Sequence, residues 1–184
     1  LPEGNTLQKS DLQKFFKRLR NDLAEYDRKI KYFATGEYGS KEHTERPHYH
    51  AIVYGISSHE DKFIEDKWGQ GNVDLGEVTP ETCAYVAGYI QKKLTGNLGR
   101  EIYGMRLPPF QINSNGLGKD FILDNIEQYD AMGYITQNGV KYPLPKYYRD
   151  AMQFDPERAK AYAEEKHAEA IEFFAQKGMD YFSK

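Results

Sequence analysis

Apolar positions along the chain change period several times, and each change marks an element. Leu12, Phe15, Phe16, Leu19 and Leu23 recur at helical spacing. Ser10-Asp11-Leu12-Gln13 reads as a capping box opening that helix, which buries one stripe and exposes its Lys and Arg. Ile30 to Glu37 is rich in aromatic and β-branched residues and predicts a strand, followed by a polar turn from Tyr38 to Glu42. His48 to Tyr54 predicts the next strand, mostly apolar after its histidines and therefore central in a sheet. Strands so close in sequence pair most simply as antiparallel neighbours.

Ser58 to Trp68 is weakly amphipathic and predicts a helix. Asn72 to Val78 alternates, with Val73, Leu75 and Val78 apolar, and predicts a third strand. Thr79-Pro80 starts a helix that runs to about Leu94, with Pro at its first position. Residues 95–117 are rich in Gly, Pro and Asn and read as loop, and Phe121 to Tyr129 as a short helix. Tyr134–Gln137 and Val140–Tyr142 flank Asn138-Gly139, a strong hairpin signal. Asp155-Pro156 opens a long final helix. The order α-β-β-α-β-α lacks one strand of a ferredoxin-like β-α-β-β-α-β sheet, which would lie before residue 10. The expectation is an α+β fold whose first strand has been removed or lies on another polypeptide. It divides into a main domain over residues 1–125 and a hairpin with helices over 126–184.

Composition narrows the class. The chain has 184 residues, 39% hydrophobic and 29% charged, as in a soluble globular protein. No apolar run approaches a membrane span. There is no signal peptide and no initiator Met, and the start Leu1-Pro2-Glu3-Gly4 reads as if cut from a longer polypeptide. Cys83 is the only cysteine, which excludes an internal disulfide framework and fits a reducing compartment. The net charge of -3 hides a basic stretch over residues 9–31 and an acidic one over 155–172. A basic face of this kind can bind DNA locally. The 15 Tyr and 10 Phe permit base stacking, although composition alone favours the plainer account of a tyrosine-rich core and surface.

Two segments carry the chemistry. His48 and His50 are two apart, so on a strand they share a face where imidazoles can hold one divalent cation. Glu37, ending the preceding strand, would lie beside them across the ladder. One carboxylate with two imidazoles suits Mg²⁺ or Mn²⁺ and leaves positions open for a phosphate. His43 is a substitute ligand in a loop, and His59 and His167 read as solvated. The competing account is a half-buried structural H-x-H pair. Tyr85, Tyr89 and Lys93 are spaced i, i+4, i+8 along one helix face, with Lys92 slightly off the line. An adjacent lysine or metal would favour a phenolate nucleophile. The competing account is an aromatic stripe packed on the sheet, its lysines solvating the helix end.

Taken together, Gly36-Glu37-Tyr38-Gly39, Arg46-Pro47-His48-Tyr49-His50 and Tyr85-Val86-Ala87-Gly88-Tyr89-Ile90-Gln91-Lys92-Lys93 resemble the HUH endonuclease superfamily. They are most similar to the replication initiators of small single-stranded DNA phages, the microviruses and gokushoviruses. The resemblance spans about residues 1–120. It implies an antiparallel HUH sheet flanked by helices, with the histidines on a central strand. It also implies a metal-dependent endonuclease that nicks one strand at an origin, forms a 5′-phosphotyrosine and rejoins strands in rolling-circle replication. On that resemblance His48, His50 and Glu37 are the metal ligands and Tyr85 and Tyr89 the alternating nucleophiles. Lys92 or Lys93 would stabilise the developing charge or hold the phosphate. The implied partners are single-stranded origin DNA and host helicase and polymerase, with no membrane, in the host bacterial cytoplasm. The family's N-terminal motif, on its first strand, is absent from this sequence.

No G-x-x-x-x-G-K-[ST] phosphate loop is present; Gly116-Leu117-Gly118-Lys119 is a turn before a helix. Other readings are an HUH relaxase or transposase, a non-catalytic origin-binding module of the same fold, and a structural virion protein.

Overall fold

The periodic run from Leu12 to Leu23 folds into helix α1 (Lys9–Ala24) of the computed structural model, which describes residues 3–39, 45–91, 96–178 and 181. The helix begins earlier than the capping box predicts. Gln8 is its N-cap, without a side-chain cap bond, and Ser10 lies inside the first turn. The entry is fixed from outside instead. The Gln8 N–H donates to the Tyr49 hydroxyl (2.8 Å), which donates to the Asp11 carboxylate (3.0 Å). A tertiary partner thus does the work of a local cap.

Strand β1 (Lys31–Tyr38) pairs antiparallel with β2 (Pro47–Tyr54), Glu37 opposite His48 and Thr35 opposite His50. On its other side β1 pairs with β3 (Phe110–Asn113), giving the order β2-β1-β3. Two expectations are corrected here. The histidine strand is an edge strand among the described residues, and β1 is the central one. The third strand comes from residues 110–113, in the stretch read as loop, while Asn72–Val78 belongs to no sheet. Alternation alone could not decide this. Val73 and Leu75 do pack against the core, but beside Gly69, Gly71 and Gly76, without a ladder. Phe110 and Ile112 face the same core from a strand only four residues long.

The core lies between α1 and one sheet face. Leu12, Phe15, Phe16, Leu19 and Leu23 meet Ile30, Tyr32 and Ala34, and the Phe16 ring stacks on Tyr32 at 3.5 Å between centroids. Helix α2 (Asp61–Trp68), shorter than the predicted 58–68, adds Ile64 and Trp68. Its last carbonyls accept from Arg18, at 2.7 Å to Lys67 and 3.2 Å to Trp68, which satisfies orphan acceptors at a helix C-terminus. Helix α3 (Pro80–Gln91) lies over the opposite sheet face, beside β1 and β2. Helix α4 (Gly96–Tyr103) occupies part of the stretch read as loop, its glycines having masked the helical signal. These elements belong to a unit spanning Leu1–Leu117.

The second unit, Gly118–Lys184, has its own small core of Ile122, Leu144 and Met152. The single helix predicted over 121–129 is two, α5 (Lys119–Asp124) and α6 (Ile126–Met132), broken at Asn125. The hairpin forms as predicted, β4 (Tyr134–Gln137) with β5 (Val140–Pro143). Positive φ at both Asn138 (50°) and Gly139 (77°) gives the turn whose twist matches the strands. Helix α7 (Lys146–Met152) was not predicted. Helix α8 (Pro156–Gln176) starts as predicted, the Asp155 carboxylate accepting from the Glu157 N–H. Among the described residues no helix is long and apolar enough to cross a membrane.

Candidate active site

Strand alternation puts Tyr32, Ala34, Tyr49 and Val53 towards α1, and Thr35, Glu37, His48 and His50 towards α3. The site is therefore the second face of the sheet, roofed by one helix. Glu37 Oε1 lies 3.1 Å from His50 Nε2, with both side chains partly buried. That bond crosses diagonally from β1 to β2, because the residue directly opposite Glu37 is His48. His48 shares the face but is exposed, its ring lying against the Gly39 backbone, where a Cβ would come within 2.9 Å of Cε1. The structure thus brings Glu37 and His50 together and leaves His48 beside them. Among the described residues no three His, Cys, Asp or Glu side chains converge as they would around a metal.

Helix α3 lowers two phenols onto this face. The Tyr89 ring stacks on His50, centroids 4.2 Å apart and 19° from parallel. Tyr85 stands edge-on to both, 4.8 Å from Tyr89 and 6.0 Å from His50. Helical spacing makes this possible, since positions i and i+4 share a face. The two phenols differ sharply in access. Tyr85 is 61% exposed and Tyr89 only 6%. Burial, with a hydrogen bond to Tyr85 and the negative charge of Glu37, pushes the Tyr89 hydroxyl well above its ordinary pKa. Burial does the same to Tyr49, on the far face, whose hydroxyl is a structural anchor. Lys92, Lys93 and His43 lie outside the described residues. His59 is exposed in a turn, and His167, on α8, makes an edge contact with Tyr181.

One member of the face escaped the sequence reading. Thr35 sits opposite His50, is 1% exposed, and its hydroxyl has no hydrogen-bond partner among the described residues. Its signal was available, since it lies two positions before Glu37 and so on the same face, but a Thr in a strand is unremarked without the register. Tyr54, on the same side, brings its hydroxyl to 3.8 Å from the Cys83 sulfur.

The arrangement is a carboxylate-imidazole pair beside an exposed phenol, on the sheet face that α3 covers. The same residues fall within a match to the family model described as Replication-associated protein ORF2/G2P, which covers residues 1–94. The chain belongs to that family. It is similar to the replication-associated protein VP4 of Bdellovibrio phage phiMH2K, 34% identical over 172 residues, covering 80% of this chain and 53% of the relative. It is also similar to the replication-associated protein ORF4 of Chlamydia phage 1, 28% identical over 172 residues, covering 81% of this chain and 42% of the relative. The chain thus spans about half the length of the curated relatives it matches. No solved structure matches it. The family match contains every candidate site residue, from Glu37 to Lys93, and none of the second unit.

The donors suit a divalent cation chemically. A carboxylate and imidazoles on one sheet face are donor types that can hold such an ion, and the Glu37 and His50 donor atoms lie 3.1 Å apart.

Proposed function

We propose that this chain is the strand-cutting part of a replication initiator acting on single-stranded DNA at an origin. The observation that carries the reading is an exposed tyrosine, Tyr85, edge-on to an imidazole that is itself held by a carboxylate. Membership in a family of replication-associated proteins supports it. The finer fold proposed is the HUH ferredoxin-like sheet, in which a strand from outside the described residues pairs with the edge of β2 that has no partner among the described residues. A cavity of about 1240 Å³ runs along that edge, between β2 and residues 72–78.

In the proposed reaction a tyrosine oxygen attacks a backbone phosphorus, and the bond to the 3′ oxygen breaks. The phenolic proton ends on that oxygen. The products are a 5′-phosphotyrosine and a free 3′-hydroxyl, which host polymerase and helicase would use. The second tyrosine repeats the exchange and rejoins strands, and bond energy is conserved throughout. His48, His50 and Glu37 would hold Mg²⁺ or Mn²⁺. That ion supplies neutralisation of charge on the phosphate oxygens. Glu37 Oε1 and His50 Nε2, 3.1 Å apart, are near enough to face one ion together. Tyr89 covers one face of the His50 ring and shields it from water. Lys92 or Lys93 would hold the scissile phosphate.

The test is incubation of the protein with labelled single-stranded origin DNA and Mn²⁺, followed by a denaturing gel. A covalent adduct is expected. Cleavage undiminished in a Tyr85→Phe, Tyr89→Phe double variant would end the reading.

A further inference from the structure

We infer that the two tyrosines are not equivalent: Tyr85 makes the first cut, and Tyr89 is a reserve nucleophile that acts only after its ring leaves His50. The inference rests on the strand-cutting reading and adds an order to it. Three observations carry it. The first is access. A phosphodiester must reach the attacking oxygen within about 3–3.5 Å, and Tyr85 is 61% exposed where Tyr89 is 6% exposed. The second is position. Tyr89 lies flat on His50 (4.2 Å, 19°), so the ring that would attack is packed against the ring that would help hold the phosphate's counter-ion. Tyr85 touches both neighbours edge-on and leaves its outer face open to a substrate.

The third is Gly88, inside helix α3 and next to Tyr89. A Cβ built there meets nothing within 4 Å, so packing does not require glycine. Glycine in a helix interior costs about 1 kcal/mol relative to Ala. Here it softens the backbone between the two phenols, where a shift would release Tyr89 from His50.

The chemistry balances in two exchanges. In the first, the Tyr85 oxygen bonds to phosphorus, the bond to the 3′ oxygen breaks, and the phenolic proton passes to that leaving oxygen. In the second, the Tyr89 oxygen attacks the next target phosphodiester in the same way. The 3′-hydroxyl released there then attacks the Tyr85 phosphodiester, regenerating the Tyr85 phenol and a joined strand.

The experiment uses the intact protein, Mn²⁺ and a labelled random-sequence single-stranded DNA pool. Adducts are stopped early, digested, and assigned to Tyr85 or Tyr89 by fragmentation mass spectrometry. Early adducts are expected on Tyr85, with Tyr85→Phe losing about tenfold or more of them, equivalent to about 1.4 kcal/mol of barrier. Tyr89→Phe is expected to accumulate the Tyr85 adduct and to lose rejoined product. Gly88→Ala is expected to leave the first cut unchanged and to slow rejoining. Early adducts divided equally, or found first on Tyr89, would overturn the order while leaving the nickase intact. Adducts that persist in the double Phe variant, or no adduct from the unsubstituted protein, would instead overturn the strand-cutting reading and the order with it.

Discussion

Glu37 Oε1 and His50 Nε2 are 3.1 Å apart although the strand register pairs Glu37 with His48. The carboxylate has a choice of two imidazoles and takes the diagonal one, which lies under α3 and is the more buried of the two. A charge-assisted bond is worth more where water is scarcer. Glu37→Gln keeps the shape and removes the charge. It is expected to weaken Mn²⁺ binding about tenfold or more by calorimetry, as loss of such a partner does elsewhere. His48→Ala and His50→Ala are expected to weaken it as well. Binding indifferent to all three substitutions would remove the metal from the proposal.

The unequal burial of the phenols has a consequence for stability that is independent of catalysis. Tyr89→Ala empties a packed site between α3 and the sheet and is expected to cost about 3 kcal/mol in denaturant unfolding. Tyr85→Ala removes an exposed ring and is expected to stay within about 0.5 kcal/mol of the parent. Equal losses would show that the two rings are equally packed in solution.

Ser114 ties three elements together. Its hydroxyl accepts from the Tyr32 N–H (2.9 Å) and from Arg20 Nη2 (2.9 Å), while its own N–H donates to the Tyr32 carbonyl (2.8 Å). Ser114→Ala leaves the buried Tyr32 N–H without an acceptor. A loss of about 2 kcal/mol is expected, measured by urea unfolding.

Glu60 sets an acid limit for the first unit. The Arg28 guanidinium binds both its oxygens (2.7 and 2.8 Å) and the Ser57 N–H adds a third bond, holding its pKa down at about 2 against an ordinary 4.5. A depressed carboxylate stabilises the fold above its unfolded pKa, and that contribution fades as pH falls from about 4.5 towards 2. Thermal unfolding of Glu60→Gln is therefore expected to show a shallower decline across that window than the parent. The pair is partly exposed, so added salt should narrow the difference.

Local signals were legible where they were strong. The α1 stripe, the paired strands, the Asn138-Gly139 turn and the Asp155-Pro156 start all appear in the fold. The placement of the candidate residues was legible too, because H-x-H on a strand and Y-x-x-x-Y on a helix each keep their side chains on one face. What the sequence did not yield was set by partners distant along the chain. Gln8 opens α1 because Tyr49, on β2, accepts its N–H. Residues 110–113 are a strand because β1 offers an edge, and 72–78 are not because β2 meets them across a cavity. Thr35 and the difference between Tyr85 and Tyr89 depend on strand register and on which turn of α3 meets the sheet, which spacing does not encode.

The β2-β1-β3 order also distributes motion unevenly. Strand β1 is laddered on both sides over Phe33–Gly36, whereas among the described residues β2 is laddered on one side only, so every second amide of the histidine strand faces away from that ladder. Hydrogen exchange should find β1 among the slowest amides and β2 divided into alternating slow and fast ones. The imidazoles would then ride on an edge strand, while Glu37 sits on the strand between the two edges. Whatever comes to lie along the outer edge of β2 would change how firmly those donors are held, without touching a single one of their atoms.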